Sequence, residues 1–260
     1  LLLILLCLPM IGFGQEWTFG GTNNDKGYSV QQTTDGGYII TGETESFGNV
    51  NGDVYLIKTD GNGVEQWSQT FGGGYSSGGY SLQQTTDGGY IVFGTTYDNG
   101  TAGTEMDAKL IKTDINGVEQ WSQTFFNTPA WEYAGSVQQT NDGGYIITGE
   151  TQGDVYLIKT DGNGVEQWNQ TFGGTDGDMG FSVQQTTDGG YIICGETKSL
   201  GNGEYDFYLI KTDDNGVEQW SQTFGGNGDE KGYSVQQTTD GGYIICGETE
   251  SFGSGDEDVY

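Results

Sequence analysis

Pairs of acidic residues recur in the loops of this chain, and their oxygen atoms are the ligands that calcium prefers. Asp176 and Asp178 flank one glycine, and Asp229 is followed directly by Glu230. Calcium takes several oxygen ligands from a flexible loop, so these four residues are the predicted candidates for a calcium site. Neither pair has the spacing of an EF-hand loop. The alternative is that all four are solvated surface charges.

Two irregular loops place aromatic residues beside polar ones. Tyr97 and Asp98 open the longest loop, and Trp131, Glu132 and Tyr133 follow one another in the next irregular stretch. Flat rings bury a large area with few rotatable bonds, so exposed aromatic residues are typical of carbohydrate or protein recognition. We therefore predict that these five residues bind a ligand. The alternative is that Trp131 only fills a gap between structural units.

The charge balance and the missing residue types narrow the possible partners and reactions. Thirty-seven acidic residues face only 8 basic ones, all lysine, which gives a formal net charge of −29, and the chain has no histidine. Nucleic acid backbones are bound by Lys and Arg clusters, so a nucleic acid partner is not expected. A Ser-His-Asp triad and a His-ligated zinc both need histidine. Hydrolysis by paired carboxylates is the enzymatic chemistry that stays open.

One sequence pattern recurs along almost the whole chain. Its tryptophan and its Asp-Gly-Gly turn return at intervals of 46 to 55 residues. A period of this length is typical of solenoids, propellers and arrays. The tryptophans are Trp17, Trp67, Trp121, Trp168 and Trp220, and the turns begin at Asp35, Asp87, Asp142, Asp188 and Asp240.

Each repeat contains four strand-like segments rich in β-branched and aromatic residues. In the first copy they cover residues 28–33, 38–44, 53–60 and 64–71. The Asp-Gly-Gly and Asp-Gly-Asn-Gly segments between them are strong hairpin signals. The repeat therefore predicts a four-stranded antiparallel sheet of about 50 residues. The hairpin register also predicts cross-strand pairs between Lys58 and Glu65, Lys112 and Glu119, Lys159 and Glu166, and Lys211 and Glu218.

The apolar runs YII and VYLI indicate strands that are covered on both faces. Blades stacked face to face around an axis provide this cover, so we predict an all-β propeller, with a β-solenoid as the alternative. The segment KTDGNGVEQW, with Gly63 four residues before Trp67, resembles the turn and docking tryptophan of quinoprotein-type and kelch-like propeller blades. The full repeat resembles those of secreted bacterial surface proteins, many of them exported by type IX secretion. The resemblance covers residues 16–260 and implies a fold, but no particular function.

The two ends of the chain carry their own predictions. Residues 1–14 form an apolar run that is too short to span a bilayer and is typical of a signal peptide whose start is missing. Residues 15–260 form the predicted propeller domain, with four complete blades and a fifth that is incomplete at its C-terminus. Cys194 and Cys246 occupy the same position in two repeats, and we expect both to be free thiols.

The repeats differ mainly in two loops, which the hairpin geometry places on the same rim of the propeller. Variable loops on a rigid scaffold are a natural binding surface. The sequence therefore predicts a secreted or cell-surface protein that is not an enzyme and binds an extracellular glycan or protein. A carbohydrate-active enzyme using carboxylates and a purely structural repeat are the alternatives. We expect no membrane span and no cofactor other than calcium.

Overall fold

The structure is a computed structural model that describes residues 16–49, 51–72, 76–97, 106–126, 130–254 and 257–260. Within this part of the chain, 19 strands form five antiparallel sheets that follow one another in sequence. The first four sheets have four strands each, and the fifth has three. In chain order the strands are β1 (Asp25–Gln32), β2 (Tyr38–Thr44), β3 (Asp53–Thr59), β4 (Glu65–Phe71), β5 (Ser77–Gln84), β6 (Tyr90–Tyr97), β7 (Met106–Thr113), β8 (Glu119–Phe125), β9 (Glu132–Gln139), β10 (Tyr145–Thr151), β11 (Asp154–Thr160), β12 (Glu166–Phe172), β13 (Asp178–Gln185), β14 (Tyr191–Thr197), β15 (Asp206–Thr212), β16 (Glu218–Phe224), β17 (Glu230–Gln237), β18 (Tyr243–Thr249) and β19 (Asp258–Val259).

The five sheets are the blades of a β-propeller. The first strand of every blade (β1, β5, β9, β13 and β17) lines one central channel of about 490 Å³. Each blade then continues outward strand by strand in sequence order. The predicted all-β propeller is thus confirmed. Among the described residues, no helix is long and apolar enough to cross a membrane.

Both constant turns of a blade lie at the same end of the strands. Gln32 pairs with Tyr38 next to the first turn, and Thr59 pairs with Glu65 next to the second. We call this end of the propeller the constant rim. Thr44 pairs with Asp53 at the other end, which carries the loops that differ between repeats and which we call the variable rim.

The Asp-Gly-Gly turn needs its two glycines for different reasons. Gly36 has a φ of +84°, in the left-handed region that residues with a side chain rarely adopt. Gly37 lies so close to the outer hairpin that a Cβ atom would stand 2.1 Å from the carbonyl oxygen of Thr59. The same close contact recurs at Gly89, Gly144 and Gly190. The second glycine therefore lets the two hairpins of a blade pack together.

A buried lysine joins the two hairpins at this point. The Lys58 ammonium lies 2.9 Å from a carboxylate oxygen of Asp35 and donates to the backbone oxygen of Thr59 at 2.7 Å and to Oε1 of Gln66 at 3.1 Å. The side chain of Lys58 is only 4% exposed. Equivalent ion pairs join Lys112 to Asp87, Lys159 to Asp142 and Lys211 to Asp188.

The predicted pairing of these lysines with glutamates is therefore wrong. A β-bulge shifts the register, so that Lys58 lies opposite Trp67 while Thr59 lies opposite Glu65. The lysine then reaches across the blade to the aspartate of the other turn.

In the fourth blade, a hydrogen bond from Thr186, opposed by burial and reinforced by Lys211, lowers the pKa of Asp188 to about 2. Because folding lowers this pKa, the stability that the pair contributes is lost only in strong acid.

Neighbouring blades pack through a tryptophan of one blade and a turn glycine of the next. Gly117 has a φ of +77°, and a Cβ atom there would stand 2.6 Å from the ring of Trp67. The same contact joins Trp17 to Gly63, Trp121 to Gly164 and Trp168 to Gly216. The docking tryptophan that the resemblance implied thus contacts the following blade.

The rest of each junction combines an apolar core with hydrogen bonds between inner strands. Ile39, Val54 and Leu56 of the first blade pack against Leu82 and Val92 of the second. The amide of Gln84 donates to Oε1 of Gln31 at 2.6 Å, and the other described junctions repeat this bond. Both faces of a central blade are therefore covered, as predicted.

The first and fifth blades each leave one apolar face exposed. Val30 is 64% exposed, whereas its equivalent in the second blade, Leu82, is 7% exposed. Ile244 is 60% exposed, whereas its equivalent in the first blade, Ile39, is fully buried. The buried cores of this chain therefore lie between blades and not within them.

The ion pair between the two turns predicts a specific loss of stability. Asp87→Asn keeps an oxygen acceptor in the turn but leaves the buried Lys112 ammonium without its carboxylate. Because water still reaches the Asp87 side, we expect a loss of about 2 kcal/mol in the free energy of unfolding, below the usual cost of breaking a fully buried pair. Chemical denaturation measures this loss.

The matched control is Asp114→Asn in the other turn of the same blade. Asp114 accepts hydrogen bonds from the amides of Asn116 and Val118 at 2.8 and 2.9 Å, which an asparagine oxygen can also accept. We expect a loss of less than about 0.5 kcal/mol from this variant. Equal losses from the two variants would show that the buried ion pair has no special role.

Candidate functional site: the channel mouth on the variable rim

The wall of the central channel is polar but uncharged. Each inner strand contributes one serine, one valine or leucine, and one glutamine. Several of the glutamines already bond the neighbouring blade, as Gln31 does. The wall therefore offers no acidic or basic side chain. Any such group that acts on a ligand in the channel must lie at its mouth. The lining residues are Ser29, Val30, Gln31, Ser81, Leu82, Gln83, Ser136, Val137, Gln138, Ser182, Val183, Gln184, Ser234, Val235 and Gln236.

A β-bulge near the start of each inner strand places an aromatic ring at the mouth. In β1 the register shifts between Gly27 and Ser29, so Tyr28 has no partner residue on β2. The equivalent residues are Tyr80, Phe181 and Tyr233. The rings of Tyr28 and Tyr80 lie 5.0 Å apart, centre to centre. Since these strands surround the channel, their bulge residues stand around its mouth on the variable rim.

The third blade breaks this row of rings. Its bulge residue is Gly135, where a Cβ atom would stand 2.1 Å from the backbone oxygen of Gly180. The close approach of the fourth blade therefore leaves no room for a side chain. The row is divided at this blade into two parts.

Three of the predicted binding residues come together beside this gap. The rings of Tyr97 and Trp131 lie 5.8 Å apart and almost perpendicular. Burial, and then the neighbouring Tyr133 and Tyr80, raise the pKa of Tyr97. We call Tyr28, Tyr80, Tyr97, Trp131 and Tyr133 the first aromatic group, and Phe181 and Tyr233 the second aromatic group.

Glu132 does not belong to this surface, although the sequence predicted it as a binding residue. Side chains alternate between the two faces of a strand, so Glu132 points inward between its neighbours. Trp131 is 48% exposed and Tyr133 is 39% exposed, but Glu132 is fully buried. It accepts a hydrogen bond from Thr151 at 3.4 Å. Asp98 lies outside the described residues.

Phe126, a residue with a strained backbone, is linked to Tyr133 through Tyr156. Phe126 has a φ of +71°, a conformation that costs a non-glycine residue about 1 kcal/mol or more. The other complete repeats have glycine at this position. The Phe126 ring packs 5.0 Å from that of Tyr156, whose hydroxyl donates to the backbone oxygen of Tyr133 at 3.0 Å. Retained strain of this kind is typical of functional sites.

The predicted calcium ligands hold loops in place instead of converging on a site. Asp178 is buried and accepts hydrogen bonds from Ser199 at 2.7 Å and from the Gly174 amide at 3.0 Å. Glu230 is buried in the same way and accepts from Thr249 and the Gly226 amide, each at 2.8 Å.

The partners of these two acids do not complete a metal site either. Asp176 is exposed, and Asp229 accepts a hydrogen bond from the amide of Tyr205 at 3.2 Å. In the described part of the chain, no three Asp, Glu, Cys or His side chains are grouped to hold a metal ion. The two predicted free thiols are both unpaired, with Cys194 buried and Cys246 exposed.

Carboxylates of the recurring Gly-Glu-Thr segment lie beside the bulge residues, since Glu43 accepts a hydrogen bond from Tyr28 and Glu248 interacts with Tyr233. Glu196 stands at the junction of the fourth and fifth blades, where Lys231 lies between it and Glu248. Burial, opposed by Lys231 and reinforced by Asp229 and Glu248, raises the pKa of Glu196 to about 7. One oxygen of Glu196 is shielded from solvent and has no hydrogen-bond partner among the described residues. This carboxyl group is therefore able to hold or release a proton near neutral pH.

Comparisons with known proteins show the fold and go no further. No protein-family model matches the chain, and no curated protein matches it. A protein of unknown function from Bacteroides caccae has a TM-score of 0.58 at 14% identity, covering 90% of this chain and 74% of that one. An endo-arabinase from Bacteroides thetaiotaomicron has a TM-score of 0.48 at 10% identity, covering 90% and 92%. A β-fructofuranosidase from Bombyx mori has a TM-score of 0.42 at 10% identity, covering 85% and 55%.

These structures correct the prediction that the protein is not an enzyme. The endo-arabinase and the β-fructofuranosidase are named as glycosidases, although their TM-scores are too low for their activity to be carried over to this chain. The prediction rested on the missing histidines and on the near-identical inner strands. Neither feature excludes hydrolysis by carboxylates, which needs only two acids beside the sugar. The fold and the composition therefore do not rule out catalysis.

The raised pKa of Glu196 predicts how stability depends on pH. The folded protein binds this proton more tightly than the unfolded chain, so the stability falls as the pH rises from about 4.5 to about 7. Glu196→Gln removes this titration. Because the group is partly solvated, we expect the variant to be more stable than the parent by about 1 kcal/mol at alkaline pH, with little difference in acid.

Denaturation of both proteins across this pH range measures the difference. Glu119→Gln, an exposed carboxylate at the constant rim, is the control and should leave the pH dependence unchanged. A Glu196→Gln effect that does not vary with pH would show that folding does not raise this pKa.

Proposed function

We propose that the protein binds a carbohydrate at the channel mouth through the first aromatic group. The observation that carries this proposal is the meeting of Tyr97, Trp131 and Tyr133, two of them well exposed, beside an open channel mouth. Aromatic rings offer apolar faces to the C–H groups of a sugar, and tyrosine and tryptophan add a polar edge for its hydroxyls. The strained Phe126 and the Tyr156 hydroxyl hold this surface in place.

The charge of the chain favours a neutral or cationic glycan over an anionic one. A net charge of −29 without arginine repels sulfated or uronate-rich polymers. The predicted signal peptide supports an extracellular or cell-surface location for this binding. A glycan is favoured over a protein partner because the exposed rings stand beside a channel, and protein interfaces of standard size need about 800 Å² per partner.

Hydrolysis of the bound glycan is the second candidate function. Glu196 holds a proton near neutral pH, as a general acid must, and Asp229 and Glu248 lie close to it. A second carboxylate beside a carboxylic acid is the arrangement that glycosidases use. Hydrolysis then needs a glycan long enough to reach from the first aromatic group to the junction of the fourth and fifth blades, which carries these acids.

Trp131→Ala tests the binding proposal on a panel of neutral, amine-bearing and uronate-bearing polysaccharides. A well-packed aromatic residue at the centre of a site contributes about 2 kcal/mol or more, so we expect the affinity to fall at least about tenfold. Tyr38→Ala, which removes a partly exposed ring at the constant rim, is the control and should bind as the parent does. The proposal fails if no polysaccharide binds, or if Trp131→Ala binds as well as the parent.

Glu196→Gln tests hydrolysis separately from binding. If Glu196 is the general acid, release of reducing ends from the bound polysaccharide should fall by about a hundredfold or more, while the affinity changes little. No hydrolysis by the parent would leave binding as the sole function of the site, and unchanged hydrolysis by the variant would show that Glu196 is not the general acid.

A further inference from the structure

The second aromatic group belongs to the junction of the fourth and fifth blades. Phe181 projects from β13 and Tyr233 from β17, and their rings lie 5.6 Å apart in an edge-to-face arrangement. Tyr233 is 48% exposed and belongs to the fifth blade, one face of which is uncovered. Gly135 separates this pair from the first aromatic group. The mouth therefore has two aromatic surfaces with a gap between them.

The second pair has more acidic neighbours than its counterpart in the first group, where the Tyr28 hydroxyl donates to Glu43 at 3.2 Å and Glu43 pairs with Lys26 at 3.6 Å. The Lys231 ammonium lies 3.6 Å from Glu248, whose carboxylate also hydrogen bonds to the Tyr233 hydroxyl. Glu196 and Asp229 lie within electrostatic reach of the same lysine. The carboxyl groups outnumber the single lysine even when Glu196 holds its proton, so the potential beside the exposed rings is negative. The Glu248 side chain is 29% exposed, so a ligand can reach it.

We propose that Phe181, Tyr233 and Glu248 form a second subsite, which binds an amine-bearing sugar of the same glycan chain that the first aromatic group holds. This proposal rests on the proposed carbohydrate function. A protonated amine is attracted both to the face of an aromatic ring and to a carboxylate. Anionic sugars are repelled by the same acids, and neutral sugars gain only the contact with the rings.

Two subsites on one mouth make the affinity depend on the length of the glycan. Once the first aromatic group has bound one end, the other end meets the second subsite at a high effective concentration. A disaccharide that occupies one subsite loses this advantage. Because Gly135 carries no ring, the glycan crosses from one surface to the other without stacking on a third aromatic residue.

Oligomers of β-1,4-linked glucosamine, and their N-acetylated counterparts, are suitable probes because they differ only in the charged amine. Calorimetry with disaccharides and hexasaccharides is done at a pH at which the amines are protonated. We expect the glucosamine hexasaccharide to bind at least about tenfold more tightly than the acetylated hexasaccharide. Tyr233→Ala and Glu248→Gln should each remove most of this difference, whereas Trp131→Ala should weaken both hexasaccharides.

Two variants at the constant rim control for loss of a ring and loss of a charge. Tyr38→Ala and Glu119→Gln should both bind as the parent does. The subsite proposal is overturned if the two hexasaccharides bind equally, or if Tyr233→Ala and Glu248→Gln bind like the parent. If Trp131→Ala still loses binding to a polysaccharide, the proposed function stands without the second subsite. If no glycan binds at all, both proposals fail.

Discussion

A buried lysine ammonium between two turns is the interaction on which each complete blade depends. In the first blade Lys58 reaches Asp35 across the sheet, and the missing Cβ of Gly37 allows the two hairpins to come this close. An ammonium that is almost fully buried is stable only with a carboxylate and further acceptors around it. Lys58 has these in Asp35, the backbone of Thr59 and Gln66. A change to any one of these residues would leave the buried ammonium without one of its partners, which accounts for the constancy of this rim.

This rigid rim leaves the opposite rim free to vary. The tryptophan of one blade packs on the turn glycine of the next, and the inner strands bond through their glutamines, so successive blades repeat one geometry. A loop on the variable rim can then change in length without disturbing the cores between blades. The third blade shows the extreme case, with Gly135 in place of a ring and a strained Phe126 in place of a glycine. Its departures lie beside Tyr97, Trp131 and Tyr133.

The periodic features of the fold could be predicted from sequence, and the local register could not. The period, the hairpin turns and the doubly covered strands led to the propeller. The bulge at Lys58 escaped prediction because an extra residue in a strand leaves no mark in the pattern of apolar residues. The same bulge occurs in four blades, and in each of them the lysine contacts an aspartate instead of the predicted glutamate. Glu132 was misplaced for a related reason, since strand alternation decides which of two neighbouring residues is buried.

The candidate site was found in part. Tyr97, Trp131 and Tyr133 stood out because they interrupt the repeat, but Tyr28, Tyr80, Phe181 and Tyr233 were concealed inside its most constant segment. The signal that could have found them is the aromatic residue between Gly and Ser in that segment, which only the third repeat replaces with Gly135. The bulge in this constant motif presents one ring to the channel mouth in four of the five blades.

The central claim is that a constant propeller presents a carbohydrate-binding mouth on its variable rim. A crystal structure of the protein with a bound oligosaccharide from the polysaccharide panel tests this claim most directly. The account predicts a sugar ring stacked on Trp131 or Tyr133, with the glycan lying over the mouth of the channel. A sugar bound at the constant rim, or in a groove between two blades away from the channel, would contradict it.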